Sequence, residues 1–263
     1  MTISASVIAA LLFAALATFV FPIVFLIVMC VKGKLPARPV VIGILAFFVS
    51  QICLRIPMLN AFAAQSWYKT FVQNLIPAAV VIAFSAGLFE ESARYIGTRY
   101  LLKGRLGYRD AVAFGLGHGF CEAVLTVGLG EISNFTAAVM INGGTLAASL
   151  PAATYQQTVD AMLTITPGLV FMGVWERIST VLFHVFATVL IFQGVREHKA
   201  RYYFYALAAH TVTDTASILL PTYTNAWVTE VFLCLVGLAG LFYVLKVKPR
   251  FQNPQNISSS NNA

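Results

Sequence analysis

Charged residues are scarce in this chain: of 263 residues only 10% are Asp, Glu, Lys or Arg, whereas 59% are hydrophobic. Because a soluble domain carries about 25% charged residues, this composition excludes a soluble protein and indicates one polytopic membrane domain. Cysteine is also rare. The four cysteines lie inside apolar runs without a CxxC-type spacing, so we expect buried free thiols rather than disulfides. They are Cys30, Cys53, Cys121 and Cys234.

Several hydrolase and nucleotide-binding motifs are missing as well. The chain has no Gly-x-Ser-x-Gly, no HExxH and no P-loop, so serine-hydrolase and HExxH-metalloprotease mechanisms lack their motif. A net charge of +7 would suggest a nucleic-acid partner in a soluble protein. Here the basic residues lie in short loops between apolar runs, where they report orientation in the membrane, and no nucleic-acid partner is expected.

Long apolar segments dominate what remains, and a hydrocarbon core requires roughly 20 residues to cross it. The predicted fold class is all-α, a polytopic transmembrane helical bundle of about seven spans. Residues 1–250 would form a single transmembrane domain, and residues 251–263 a disordered cytoplasmic tail. The predicted spans are about 5–31, 40–59, 71–98, 110–130, 168–193, 202–220 and 226–246.

The positions of the basic residues predict an orientation. Thirteen of the 17 Lys and Arg residues fall on one side of the bundle, and only Lys69 lies in a loop on the other side. The N-terminus is then outside and the C-terminus cytoplasmic. Residues 131–167 are interpreted as a re-entrant hairpin or a pair of short helices on the outer surface. Arg55, near the outer end of its span, is expected to snorkel to the interface.

The third predicted span ends in an ionisable stretch, Glu90-Glu91-x-x-Arg94. Two carboxylates and an arginine in hydrocarbon cost about a few kcal/mol each unless they are paired or face a polar cavity, so they are functional candidates. On a helix Arg94 lies three and four residues after the two glutamates. We expect it to neutralise one carboxylate and to leave the other available for chemistry.

Histidines in other spans lie at the same depth as this stretch. Of the four histidines, His198 is in a basic loop, and the other three are inside predicted spans. Each of these three, like Glu91, is eight or nine residues from the basic end of its span, or roughly 12–14 Å at 1.5 Å per residue. Independent packing histidines have no reason to share a depth, so we expect one pocket. Its members would be Glu91, His118, His184 and His210.

The pocket would also hold acids that accompany the histidines. Glu122 follows His118, and Asp214 follows His210, each by four residues, so a carboxylate can orient the imidazole or bind a metal with it. Such a group suits activation of a water. Either one of the paired glutamates is the general base, or the histidines hold a divalent metal such as zinc that lowers the pKa of its bound water.

Together these motifs resemble a known family of membrane peptidases. FEESARY, GLGHGFCEA, the Phe183-His184 pair and HTVTD resemble the YhfC family. The patterns EExxR, FxxxH and HxxxD resemble the three motifs of the CAAX-prenyl-protease and bacteriocin-processing superfamily. This resemblance implies an intramembrane endopeptidase, of glutamic or metallo type, in the bacterial plasma membrane. It would cleave a peptide or membrane-protein substrate near the cytoplasmic side.

The resemblance also assigns residues. It implies that the paired glutamates activate water, that the arginine is their ionic partner and that the histidines of the next and a later span face them. One more residue usually separates the second glutamate from the arginine, and its absence rotates Arg94 by about 100°, which leaves open the glutamate it pairs with. The candidate catalytic residues are Glu90, Glu91, Arg94, His118, His210 and Asp214, with Glu122 and His184 supporting; His118, His184 and His210 are possible metal ligands or oxyanion donors.

Two other function classes are compatible with the same residues. Paired acids and histidines inside spans also form proton relays, as in a proton- or ion-coupled transporter. A non-catalytic scaffold or immunity-type protein would keep the polar layer for helix packing. Beyond membrane lipids and an unidentified substrate, the sequence indicates no partner.

Overall fold

A computed structural model describes residues 2–252, and every regular element among them is helical. The helices in chain order are α1 (Ala5–Val31), α2 (Ala37–Ala63), α3 (Ser66–Phe71), α4 (Leu75–Leu101), α5 (Tyr108–Asn142), α6 (Leu146–Ser149), α7 (Ala152–Thr164), α8 (Pro167–Glu197), α9 (Arg201–Tyr223) and α10 (Ala226–Gln252). Each predicted span corresponds to one long helix, so the all-α prediction is confirmed.

In the described part of the chain, 6 helices are long and apolar enough to cross a membrane. They are α1, α2, α4, α5, α8 and α10. The remaining long helix, α9, carries Arg201, His210 and Asp214 among several hydroxyl side chains, which lower its hydropathy. It packs mainly against α4, with further contacts to α8 and α10. The predicted count of about seven spans and the predicted orientation therefore stay predictions.

The basic loops meet at one end of the bundle, which we call the basic end. Arg38 at the start of α2 donates a hydrogen bond to the carbonyl of Leu101 at the end of α4 (2.6 Å). Arg109 at the start of α5 donates to the carbonyl of Lys34 after α1 (2.9 Å). Arg196 near the end of α8 donates to a carbonyl at the end of α10. The prediction that these loops share one side of the bundle is confirmed.

A buried polar layer lies between two hydrophobic clusters. Near the basic end, Phe114 of α5 packs with Val189 and Phe192 of α8. Near the opposite end, Leu11 of α1 packs with Ala138 of α5 and with side chains of α7 and α8. Between these clusters lie many of the buried polar side chains, which include Gln51, Glu90, Glu91, Arg94, His118, His184 and His210.

Glycines bring α5 close to its neighbours at the level of this layer. A Cβ atom at Gly117 would overlap the carbonyl oxygen of Val40 in α2, and one at Gly115 would lie 2.7 Å from Cα of Val185 in α8. No larger residue fits either position without moving a backbone. The glycines therefore hold His118, the next residue after Gly117, against both α2 and α8.

Residues 131–167 differ from the predicted arrangement. α5 continues past residue 130 to Asn142, whose side-chain amide donates to the carbonyl of Ile3 (2.8 Å) and accepts from its amide (2.7 Å). Ala138 is buried in the same cluster as Leu11 of α1. These contacts stabilise the longer helix, so residues 131–142 belong to α5, and the short helices α6 and α7 follow them. The position of this segment relative to the membrane stays a prediction.

Two smaller expectations are corrected. The cysteines are free, but Cys53 is exposed and the other three are half-buried, because these positions lie on outward faces of apolar helices. Phe251 and Gln252, assigned to the tail from the sequence, belong to α10. The rest of the predicted tail, 253–263, lies outside the described residues.

Candidate active site

One face of α4 carries the ionisable stretch into the polar layer. Arg94 pairs with both glutamates: Nη2 is 3.1 Å from Glu90 Oε2, and Nη1 pairs with Glu91 Oε1. The expectation that one carboxylate escapes the arginine is wrong. The planar guanidinium presents two nitrogens, and they reach residues three and four positions earlier at the same time.

His118 approaches Glu90 from α5. Its Nε2 lies 2.9 Å from Glu90 Oε2, and its ring is fully buried with the edge of Phe47 at a centroid distance of 5.4 Å. Within residues 2–252, nothing hydrogen-bonds to His118 Nδ1. Burial of Nδ1 without a partner is costly for a polar atom. The imidazole is held in place by its packing and by its contact with Glu90.

His184 of α8 links the arginine to Glu122. Its Nδ1 lies 2.6 Å from Arg94 Nη2, and its Nε2 pairs with Glu122 Oε2. A guanidinium only donates, so Nδ1 accepts and Nε2 carries the proton shared with Glu122. Arg177 Nη1 holds the other oxygen of Glu122 at 3.0 Å and also pairs with Glu176. Glu122 therefore orients His184 across the helix interface, whereas the sequence predicted that it would orient His118.

His210 of α9 faces carboxylates through both ring nitrogens. Nδ1 is 2.8 Å from Glu91 Oε1, and Nε2 is 3.4 Å from Asp214 Oδ2 and 3.9 Å from Glu90 Oε1. The predicted pairing of His210 with Asp214 is confirmed. The edge of Phe183 packs on the ring at a centroid distance of 5.5 Å and limits its rotation.

The three buried histidines form a row. The ring centroids of His118 and His184 are 5.1 Å apart, and those of His184 and His210 are 5.9 Å apart. The predicted convergence of these residues from separate helices is confirmed. Their catalytic roles remain predictions.

Sequence reasoning missed Gln51 and misplaced Arg55. Gln51 Nε2 donates to Glu90 Oε1 (2.8 Å), and its Oε1 accepts from Arg55 Nη1 (3.0 Å). Arg55 also donates to Ser85 Oγ (3.0 Å) and to a carbonyl of α4, so its head group is bound inside the bundle and the snorkelling prediction is wrong. The sequence did contain a signal for the contact between these two residues. A glutamine four residues before an arginine in an apolar run places both on one helix face.

Two crevices reach Glu90, and we name each after one of its walls. Glu90, Glu122 and Asp214 line both of them, whereas Glu91 is absent from the described residues that line either. The α4 crevice, about 230 Å³, is lined by Phe47, Gln51, Arg55, Ile56, Ile82, Ala83, Ala86, Glu90, Glu122, Thr126, Asp214 and Ile218. The α8 crevice, about 120 Å³, includes Glu90, Glu122, Glu176, Arg177, Ser179, His184, His210, Asp214 and Ser217.

The donor set fits a divalent metal. One ligand atom from each of Glu90, His118 and His184 lies within 4.8 Å of the others, and all three residues are buried. A carboxylate with two imidazoles is a donor set of catalytic zinc sites. In the layer around them, carboxylates outnumber arginines by two, which favours the binding of a cation. The carboxylates are Glu90, Glu91, Glu122, Glu176 and Asp214, and the arginines Arg55, Arg94 and Arg177.

Fold and site define an all-helical, multi-pass integral membrane protein with a buried glutamate and histidine cluster of metal-binding type. Residues 17–233 match the family described as YhfC intramembrane metalloprotease, and the chain belongs to this family.

A curated relative points the same way. The chain is similar to the "Uncharacterized membrane protein YhfC" of Bacillus subtilis (strain 168), with 28% identity over 218 residues that cover 80% of this chain and 84% of the relative. No solved structure matches the chain significantly. The resemblance to the CAAX-prenyl-protease superfamily stays a prediction.

Proposed function

We propose that the protein is an active intramembrane protease that hydrolyses a peptide bond with a water activated at Glu90. Family membership supports the reaction class. Two observations support the assignment of Glu90. It belongs to the candidate metal-binding cluster, and it lines both crevices. Glu91 is fully buried between Arg94 and His210, so it positions these groups rather than meeting water.

Glu90, His118 and His184 would hold the metal ion, for which we propose zinc. Arg94 Nη2 contacts both Glu90 Oε2 and His184 Nδ1 in this structure and would withdraw from them when the metal binds. When bound, such an ion lowers the pKa of a coordinated water toward 7. Glu122 would keep the His184 ring oriented through the contact between its Oε2 and His184 Nε2, and the Arg177 contact keeps Glu122 in place. Support of this kind from residues behind the ligands is typical of metal sites.

His210 is the proposed proton donor. Both of its nitrogens face carboxylates, and Nε2 lies 3.9 Å from Glu90 Oε1, where a substrate amide beside Glu90 would also be within reach. We propose that it delivers a proton to the leaving amine, while Asp214 holds the ring. The cluster lies nearer to the basic end than to the opposite end, so cleavage would occur in that half of the bilayer, which the positive-inside rule places at the cytoplasmic side.

Exchange of the carboxylates tests the reaction. In proteoliposomes, a reporter with one transmembrane helix between a fluorophore and a quencher should be cleaved by the wild type. The Glu90→Gln variant should lose about 100-fold or more of this activity, because glutamine does not supply the charged ligand that would hold the metal and its bound water. Asp160→Asn, an exposed change on α7, is the matched control and should cleave normally. Unchanged cleavage by Glu90→Gln would contradict the proposal.

Elemental analysis tests the metal independently of any substrate. Purified wild type should contain one zinc per chain, and His118→Ala and His184→Ala should lose it. His198→Asn is the control histidine, because His198 is exposed at the basic end and asparagine tolerates its left-handed backbone (φ 53°). Zinc retained in both alanine variants, or no metal in the wild type, would refute the metal site.

A further inference from the structure

In the polar layer, side chains become more exposed at the surface of the bundle in one direction. On α5 the exposed fraction of the side chain rises from 0% at His118 to 16% at Glu122, and on α9 from 3% at His210 to 36% at Asp214. On α8 it rises from 5% at His184 to 35% at Glu176. α5 and α9 run away from the basic end and α8 runs toward it, so on all three helices the more exposed residue is farther from the basic end.

The lining of the α4 crevice shows the same direction. Ala83 and Ala86 precede Glu90 on α4, a helix that runs toward the basic end, and Thr126 and Ile218 follow Glu122 and Asp214 on helices that run away from it. These lining positions therefore lie between the site and the opposite end of the bundle. The crevice leads out in that direction.

Toward the basic end the site is closed. Arg94 and Thr98, the next inward-facing residues of α4, are fully buried, and Phe114 and Phe192 pack beyond them. A separate cavity of about 530 Å³ opens at the basic end, and its described lining includes Ser92 and Arg99 but none of the site carboxylates or buried histidines. The described linings of this cavity and of the two crevices share no residue.

We propose that water and the substrate reach Glu90 from the end of the bundle opposite the basic end, through the α4 crevice. The site lies nearer to the basic end, but its entrance is at the opposite end, because the depth of a site does not determine the side from which it is reached. The part of this inference that concerns water depends on the geometry alone. The part that concerns substrate rests on the proposed function.

The polarity of the α4 crevice fits an extended polypeptide. An extended chain exposes unpaired amides and carbonyls, which hydrocarbon does not satisfy. Here Gln51, Arg55, Thr126 and Asp214 line the walls and supply donors and acceptors. We therefore expect a substrate segment to be extended where it passes Glu90.

Cysteine labelling tests the route of water. In a variant whose four native cysteines are replaced by alanine, Thr126→Cys in the α4 crevice and Ser217→Cys in the α8 crevice are introduced one at a time. Sealed vesicles receive a charged, membrane-impermeant maleimide on one side only. Both cysteines should react about tenfold faster than a lipid-facing one, because the reactive thiolate forms only where water reaches the sulfur.

Three reference cysteines define side and depth. Lys34→Cys reports the basic end, and Lys69→Cys reports the opposite end, since Lys34 is exposed in the loop after α1 and Lys69 is exposed on the short helix α3. Val212→Cys is the matched control: Val212 is 62% exposed on α9, two residues before Asp214, on an apolar face at the same depth. Thr126→Cys and Ser217→Cys should react from the side that labels Lys69→Cys, and Val212→Cys should stay unlabelled.

Reaction from the side that labels Lys34→Cys would overturn the inference, and so would protection of both crevice cysteines from either side.

The route of the substrate is tested by measuring reporter cleavage by the labelled proteins. Maleimide on Thr126→Cys should reduce reporter cleavage about tenfold or more, since the adduct fills the narrow crevice, while the adduct on Lys69→Cys should not. Equal reporter cleavage by the labelled Thr126→Cys and Lys69→Cys proteins would overturn the inference that the substrate passes through the α4 crevice. If unlabelled protein cleaves nothing, the proposed function fails while the labelling pattern still decides the route of water.

Discussion

At the scale of single residues, Glu90 is the most connected side chain of the site. Gln51 donates to one of its oxygens, and Arg94 and His118 contact the other. Because both oxygens of the Glu90 carboxylate are held, the group cannot rotate freely. Its orientation toward the crevices is therefore fixed. Gln51 acts only through Glu90 and is a positioning residue.

Replacement of Gln51 by leucine should therefore slow the reaction without unfolding the protein. A hydrogen bond to a charged group contributes about 1.5–3 kcal/mol, so we expect kcat for reporter cleavage to fall about tenfold or more with little change in KM. Zinc content should stay at the wild-type value, because none of the three proposed ligands changes.

Gln73→Leu, an exposed change in the loop before α4, is the matched control and should match the wild type. Wild-type kcat in Gln51→Leu would show that this hydrogen bond has no role in catalysis.

At the scale of elements, proline and glycine decide how the helices present the site. α2 contains a widened π-helical turn, Phe48–Arg55, just before Pro57. Proline lacks an amide hydrogen, and its ring clashes with the carbonyl four residues earlier, which favours such a turn. The turn includes Gln51 and Arg55, both of which bind groups of α4. α5 in turn depends on Gly115 and Gly117 for its close approach to α8 and α2.

Gly117→Ala tests this packing. The added methyl group would overlap the carbonyl oxygen of Val40 and force α2 away from α5. Overpacking of this kind costs about 1–3 kcal/mol, so the thermal unfolding midpoint in detergent, followed by circular dichroism, should fall by several degrees. Because His118 is the next residue, zinc content should fall too.

Gly130→Ala is the control on the same helix, since a Cβ atom there meets nothing within 4 Å. Alanine favours helix over glycine by about 1 kcal/mol, so this variant should be unchanged or slightly more stable. Equal midpoints for the two alanine variants would show that close packing at Gly117 is unimportant.

At the scale of the whole molecule, the bundle places charged groups between two hydrophobic clusters. Buried charges are costly unless they are paired or bind metals. The excess of carboxylates over arginines in the layer is therefore a source of instability that a bound cation would relieve. Since Glu90, His118 and His184 come from α4, α5 and α8, the cation would also join three helices.

Removal of the metal should accordingly lower stability of the whole bundle. A ligand at 100 times its dissociation constant stabilises the folded state by about 2.7 kcal/mol. Addition of a chelator should lower the unfolding midpoint of the wild type and of His198→Asn, and added zinc should restore it.

His118→Ala, which lacks a proposed ligand, should show a midpoint that responds to neither reagent. A wild-type midpoint that is insensitive to both chelator and zinc would argue against a structural contribution of the metal.

The chain by itself determined the helical membrane class, the approximate spans and the common depth of Glu91, His118, His184 and His210. These follow from hydropathy and from the constant rise of a helix, both of which are local properties. Local spacing also predicted correctly that Asp214 would accompany His210.

Only the tertiary structure decided which groups meet across helices. Arg94 holds both glutamates, Glu122 orients His184 instead of His118, and Gln51 reaches Glu90 from a distant span. The length of α5 was likewise decided by its contacts with α1. Rotation of each helix about its axis and the choice of its neighbours depend on packing between distant segments, which helical periodicity within one segment does not encode.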